Sequence, residues 1–217
     1  MKILTLEVSP LATNCYLVWE ETSGCGYIID PGDEAARIAE AALQISQRWH
    51  AIILTHGHAD HVGATPELKR LLGGKTGLVP AVYFNAADGE YIRQYNQIVG
   101  PQMGIRCEQF DSDGVLEDGL EFTWGTLRVS ASHTPGHTPG SMVLESSGSL
   151  FAGDLLFKGS VGRTDLPGGS WDEMLKSLKR VARTFPLNTV IYPGHGPSTT
   201  LEAELKFNGY LKMAMTS

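Results

Sequence analysis

Positions 55 to 61 read Thr55-His56-Gly57-His58-Ala59-Asp60-His61, which sets three imidazoles and one carboxylate within six consecutive residues. Imidazole nitrogens and carboxylate oxygens bind first-row divalent ions, and ligands this dense mark a metal site rather than a packed core. His56 and His58, two apart in an extended segment, project to the same side, and Gly57 between them has no Cβ to obstruct an ion. Asp60 and His61 come where the chain turns toward a helix expected over 62–72. They aim at a neighbouring spot, so two adjacent ions can share the loop. His50, alone before the apolar run 51–54, reads as structural.

Two ions need further ligands, and three candidates each follow a glycine that permits a tight turn. They are His137 in Pro135-Gly136-His137-Thr138, Asp154 in Ala152-Gly153-Asp154 and His195 in Pro193-Gly194-His195. His133, four residues before His137, is read as structural or as support for a ligand.

The elements that must position these groups are legible from periodicity. Strands are expected at 3–8, 14–19, 26–29, 51–54 and 81–84, then at 120–124, 127–131, 142–145, 149–152 and 189–192. Asp33 is expected to cap a helix running to Arg48, and another helix is expected over 86–98. Ser170-Trp171-Asp172-Glu173 is a capping box for a helix over 171–184, and Thr199 with Glu202 opens a final helix. Strands gathered in each half, with helices between and after them, suggest two packed sheets with helices outside.

At 217 residues and 23.5 kDa, with 42% hydrophobic residues and no low-complexity linker, the chain is read as one large domain. The net charge of −7 and the absence of a basic run argue against a nucleic-acid partner. No stretch approaches the length of a membrane span, and Glu7 and Pro10 interrupt any signal-peptide core, so a cytoplasmic protein off the membrane is expected. Its three cysteines, Cys15, Cys25 and Cys107, lack CxxC spacing and suit a reducing compartment. A small-molecule substrate is expected, with the chain a monomer or small homo-oligomer.

The order of these motifs resembles the metallo-β-lactamase superfamily along nearly the whole chain. The resemblance implies a mixed α/β fold, a four-layer αββα sandwich over 1–217, with a dinuclear metal site between the sheet edges. It implies His56, His58 and His137 as ligands of one ion, Asp60, His61 and His195 as ligands of the other, and Asp154 as the bridge. Asp60 and Asp154 are then the catalytic carboxylates. Two ions roughly 3.5–4 Å apart would lower the pKa of a bridging water to about 7, which suits hydrolytic attack on an acyl carbon. A thiolate, with a conjugate-acid pKa near 8.5, is a good leaving group, so thioesters are natural substrates. Zinc is the expected metal, with iron or manganese fitting the same ligands.

Within the superfamily the chain is most similar to short bacterial glyoxalase II-like hydroxyacylglutathione hydrolases, on the segment from Gly153 to Asp165. That similarity implies S-D-lactoylglutathione as substrate, with D-lactate and glutathione as products, and assigns Arg163 and Lys158 to substrate binding. Longer relatives carry Lys where Arg163 stands and Tyr where Asp165 stands, and they hold glutathione with a C-terminal helical domain. Here 22 residues, 196–217, follow His195. A persulfide dioxygenase with one iron, which shares a Gly-Arg-Thr-Asp segment, and a lactonase or esterase are the alternatives that the same resemblance leaves open.

Overall fold

The computed structural model describes residues 1–216. The first half builds β1 (Lys2–Val8), β2 (Thr13–Trp19), β3 (Cys25–Ile29), α1 (Ala35–Ile45), β4 (Arg48–Ile53), α2 (Ala59–Val62), α3 (Thr65–Thr76) and β5 (Ala81–Phe84). A 3₁₀ turn, Ala86–Asp88, and a π turn, Tyr91–Tyr95, then lead into α4 (Asn96–Gln102) and β6 (Gly114–Val115). The second half adds β7 (Glu121–Trp124), β8 (Leu127–His133), β9 (Met142–Ser146), β10 (Ser149–Gly153), β11 (Leu156–Phe157) and β12 (Ser160–Val161). It closes with α5 (Trp171–Thr184), β13 (Val190–Pro193), β14 (Thr199–Thr200), α6 (Leu201–Phe207) and α7 (Gly209–Thr216).

Two six-stranded sheets result, in the orders β1-β2-β3-β4-β5-β6 and β14-β13-β10-β9-β8-β7, and β11 and β12 form a separate hairpin. Alternation along each strand sorts side chains between the layers. In β4, Ile52 faces the helices, among Ile38, Ala42, Leu68 and Leu72, whereas Ala51 and Ile53 face the other sheet, among Val129, Leu144 and Phe151. On the far side, Leu150, Ala152 and Ile191 pack against Met174, Leu178, Val181 and Leu211. The order of layers is therefore helix, sheet, sheet, helix, as expected. Each fully buried Ile, Leu or Phe contributes about 1.5–3 kcal/mol of transfer free energy to that stack.

Several local expectations need correction. Asp33 accepts from the Glu34 N–H at 2.7 Å without capping α1, which starts at Ala35 after a left-handed Glu34 and ends at Ile45 because β4 begins at Arg48. His50 accordingly lies inside β4, stacked on Trp124. The helix expected over 62–72 is two helices, since Pro66 has no N–H to continue from α2 and instead sits in the first turn of α3. The helix expected over 86–98 is broken because Asp88, fully buried, is pulled toward the loops of the site. Ser170 does cap α5, accepting from Glu173 N, but Ser170 N bonds Gly136 O in place of the reciprocal half of the capping box. The final helix expected after Thr199 is two: Thr200 caps α6, accepting from Ala203 N, while Thr199 donates to Glu204, and Asn208 Oδ1 accepts from Tyr210 N and Leu211 N at the start of α7. No helix among the described residues is long and apolar enough to cross a membrane.

Candidate metal centre

All the predicted ligands stand at or just beyond the C-terminal ends of β4, β8, β10 and β13, on one edge of the sandwich. β4 delivers His56 and His58, and α2 carries Asp60 and His61 within its single turn. The loop after β8 brings His137. The register of β10 against β13 shifts between Phe151 and Gly153, a bulge with Gly153 at φ 47°, and Asp154 is turned into the site. After β13, His195 is tied across to β2 by Asn14, whose N–H donates to Gly194 O at 2.7 Å and whose side-chain amide donates to Pro193 O and Gly196 O.

Four histidines are held by Nδ1 and present Nε2. His61 Nδ1 lies 2.9 Å from Asp30 Oδ2, His137 Nδ1 donates to Arg163 O at 2.7 Å, and His195 Nδ1 donates to Leu11 O at 3.1 Å. His56 Nδ1 is 3.1 Å from Thr55 Oγ1, whose own proton goes to Asp30 Oδ2 at 2.6 Å. His58 presents Nδ1, 2.9 Å from His137 Nε2. Partners of this kind fix ring orientation and leave the second nitrogen free for an ion. Asp60 is steadied by Thr13, whose hydroxyl donates to Oδ2 at 2.9 Å.

Two clusters of candidate ligand atoms form: His56, His58 and His137, and Asp60, His61 and His195. Asp154 joins them, with Oδ1 3.4 Å from His61 Nε2 and Oδ2 3.5 Å from His137 Nε2 and 3.6 Å from His195 Nε2. Asp60 Oδ2 lies 3.5 Å from His61 Nε2 and 3.3 Å from His195 Nε2, and those two nitrogens are 3.3 Å apart. These separations exceed ordinary hydrogen-bond lengths. They match the roughly 3.4 Å edge of a tetrahedron whose ligands lie about 2.0–2.1 Å from a central ion. His56 Nε2, His58 Nε2 and Asp154 Oδ1 are also buried without a hydrogen-bond partner. Buried polar atoms are rarely left so, and for His56 Nε2 and Asp154 Oδ1, both aimed into the centre, a divalent cation is the partner that fits. Asp30 also lies near His56 and His61, but its oxygens already accept from Thr55 N, Thr55 Oγ1 and His61 Nδ1, which makes it a holder rather than a ligand.

The charge environment differs between the two clusters. Burial, then the neighbouring imidazoles, holds His56 well below the ordinary histidine value, and burial with His137 brings His58 down to about 3. Both are neutral at pH 7, as a ligand must be. Burial pushes the Asp60 and Asp154 carboxyls up, but His61 and His195 beside Asp60, and His61 and His137 beside Asp154, bring both below their ordinary value. Burial likewise lowers His61 and His195, and the two carboxylates more than reverse it. The pocket thus draws positive charge to itself.

The other sequence candidates fall differently. Arg163 lines the cleft over the centre, yet its guanidinium is paired with Asp165 by two 2.7 Å hydrogen bonds, while its carbonyl holds His137. Lys158, assigned to substrate binding, sits exposed in the turn between β11 and β12 and is not among the described residues lining the cleft, because that hairpin points it to solvent. His133 bonds Pro139 O through Nε2 at 2.8 Å and braces its loop. Sequence reasoning missed Asp30, Thr13 and Asp88. Asp30 had a signal, since it follows an apolar strand as Asp154 does. Asp88, whose carboxyl burial pushes up, accepts from Gly57 N at 2.8 Å, Thr138 Oγ1 at 2.7 Å and Gly140 N at 2.7 Å. It clamps the His56–His58 loop to the His137 loop.

Residues 8–195 match the metallo-beta-lactamase superfamily. The chain belongs to that superfamily. It is 40% identical to an uncharacterized protein of Aquifex aeolicus, with 97% of each chain covered. It is 33% identical to the hydroxyacylglutathione hydrolase GloC of Haemophilus influenzae, covering 97% of this chain and 98% of that one. The structure of TTHA1623 in a di-iron-bound form is similar with a TM-score of 0.82 at 34% identity, covering 95% and 99% of the two chains. The B3 metallo-beta-lactamase BLEG-1 gives a TM-score of 0.84 at 29% identity, covering 97% and 99%. A metallo-β-lactamase fold with His and Asp groups able to bind metal is what the chain has.

Proposed function

We propose that the chain is a dinuclear metallo-hydrolase of acyl thioesters, with hydroxyacyl thioesters of glutathione as the first class to test. The observation that carries this reading is Asp154, one carboxylate within 3.4–3.6 Å of ligand nitrogens from both clusters. Two divalent ions, zinc or iron, would be held by His56, His58 and His137 and by Asp60, His61 and His195, and when bound would supply hydroxide at neutral pH and polarise a carbonyl. The 33% identical relative named hydroxyacylglutathione hydrolase and the di-iron neighbour support the substrate class and the metal count.

The chain's own residues supply position and environment. A cleft of about 280 Å³ opens over the centre, walled on its apolar sides by Leu11, Val99, Met103 and Leu166. Those apolar walls lower the local dielectric on their side of the cleft and strengthen charge interactions there. Arg163 is the only lysine or arginine among the described residues that line it, and it stands where a departing thiolate or a substrate carboxylate gains from a cation. Asp30, Thr13, Leu11 O and Arg163 O keep the ligand atoms aimed before substrate arrives.

Hydrolysis of S-lactoylglutathione, followed as loss of thioester absorbance on protein reconstituted anaerobically with zinc, iron or manganese, tests the reading. Turnover with two ions per chain is expected. Asp154→Asn, which removes the shared negative charge, is expected to lower metal content and turnover together. Protein that holds two ions of any of these metals yet cleaves no thioester refutes the hydrolase assignment, and oxygen uptake with glutathione persulfide by a one-iron form would replace it.

A further inference from the structure

A second hollow, of about 460 Å³, lies directly beside the metal cleft. The two share Tyr95, whose ring meets Tyr91 edge-on at 5.5 Å and whose hydroxyl donates to no protein group among the described residues. Tyr91 is fixed by a hydrogen bond from its hydroxyl to Pro167 O, and its ring stands edge-on to the ligand His58 at 5.2 Å. One wall of the groove, Tyr91, therefore backs onto a candidate ligand, and another, Tyr95, is shared with the metal cleft. Its walls continue through Ile98, which is 67% exposed, and through Pro139 and Pro167.

The charge of the groove narrows what it can take. Apart from the tyrosines, the one ionisable side chain among the described residues that line it is Glu90. A peptide-like arm bearing carboxylates meets repulsion there and finds no cation. An uncharged apolar chain loses nothing to Glu90 and gains by covering Tyr91, Tyr95 and Ile98. Orientation follows from the same charge. Arg163 is already neutralised by Asp165, so the choice between the two arms of a thioester falls to Glu90: the thiol arm of a glutathione thioester carries carboxylates that Glu90 repels, and the acyl chain is the arm left to run past Tyr95.

We propose that this groove is the acyl-chain subsite of the hydrolase, so that its preferred substrates are thioesters of medium-chain or arylalkyl acids. The inference rests on the thioester reading above and deepens it. A lactoyl group, two carbons beyond its carbonyl, stays within the metal cleft and leaves the groove to water.

The experiment compares acetyl, hexanoyl and phenylacetyl thioesters of one thiol, N-acetylcysteamine, on metal-loaded wild type, Ile98→Glu and Ile98→Leu. Each buried methylene is worth about fourfold. With part of the chain still open to water, kcat/KM for hexanoyl over acetyl is expected to reach roughly tenfold or more. That ratio should fall toward one in Ile98→Glu, chiefly through KM, and persist in Ile98→Leu. Calorimetric binding of hexanoate against acetate gives the same comparison without turnover. A flat series, or a gain that survives Ile98→Glu, overturns the subsite. A gain that appears instead when the thiol is lengthened at fixed acetyl overturns the acyl assignment. Hexanoate binding that follows the Ile98 pattern without cleavage of any thioester keeps the groove and refutes the hydrolase, whereas absence of both refutes both.

Discussion

Replacing Asp88 by asparagine tests whether the metal centre depends on a clamp outside the ligand set. The carboxylate is fully buried and satisfies three donors: Gly57 N and Thr138 Oγ1 on Oδ2, and Gly140 N on Oδ1. An amide has one acceptor oxygen. Placed on the Oδ2 side it keeps Gly57 and Thr138 but sets its NH₂ against the Gly140 N–H, and turned over it keeps Gly140 and can donate to the Thr138 hydroxyl but sets its NH₂ against the Gly57 N–H. At the least, one hydrogen bond to a charged group, worth about 1.5–3 kcal/mol, is lost, and one buried donor is left unsatisfied. A net loss of about 3 kcal/mol is expected, which for a chain of this size corresponds to roughly 6–12 °C in melting temperature. Gly57 lies between His56 and His58, and Thr138 follows His137, so metal affinity should also fall about 10- to 100-fold. Melting of metal-free wild type and variant isolates the structural part, and metal content after dialysis reads the second. A metal-free Asp88→Asn protein that melts within about 2 °C of wild type contradicts the clamp, since the buried donors that the geometry assigns would then cost almost nothing.

Other outcomes follow from the same geometry. A Cβ at position 194 would lie 2.2 Å from Asp154 Oδ1 and 2.7 Å from His61 Cε1, so Gly194→Ala should fold yet bind less than its full metal complement, and unchanged metal content by elemental analysis contradicts this placement of Asp154. Arg163→Ala removes an exposed pair with Asp165 but keeps the carbonyl that orients His137, so melting should not change while KM for an acidic thioester rises several-fold more than for a neutral one. Equal KM changes for both would remove Arg163 from substrate binding. The Cys107 thiol is pushed up to about 11 by burial and by the charges of Asp33 and Asp60, from an ordinary value of 9.0. Its alkylation at pH 7 should run roughly 100-fold slower than that of a free cysteine and speed up as pH rises, and a rate equal to the free thiol contradicts its half-buried setting.

The ligand motifs were legible because their logic is local. His56, His58, Asp60 and His61 lie within one turn of chain after an apolar strand, and His137, Asp154 and His195 each follow a glycine at a strand end. Two packed sheets with helices outside were legible for a similar reason, since period-two and period-3.6 patterns depend only on neighbours in sequence. The groups that aim the ligands were not. Asp30, Thr13 and Asp88 are single polar residues in unrelated segments, and only the pairing of β2 with β3, β3 with β4 and β4 with β5 in one sheet carries them to Asp60, His61 and Gly57. The same holds for the groove beside Tyr95, and for the fate of Arg163 and Lys158, two cations five residues apart, of which one reaches the cleft and one faces solvent. Sequence thus determined which atoms can bind metal, because ligand chemistry belongs to residue type and short spacing. Tertiary structure decided what holds those atoms and what the site admits, because hydrogen-bond direction and cavity shape exist only once distant segments are packed together.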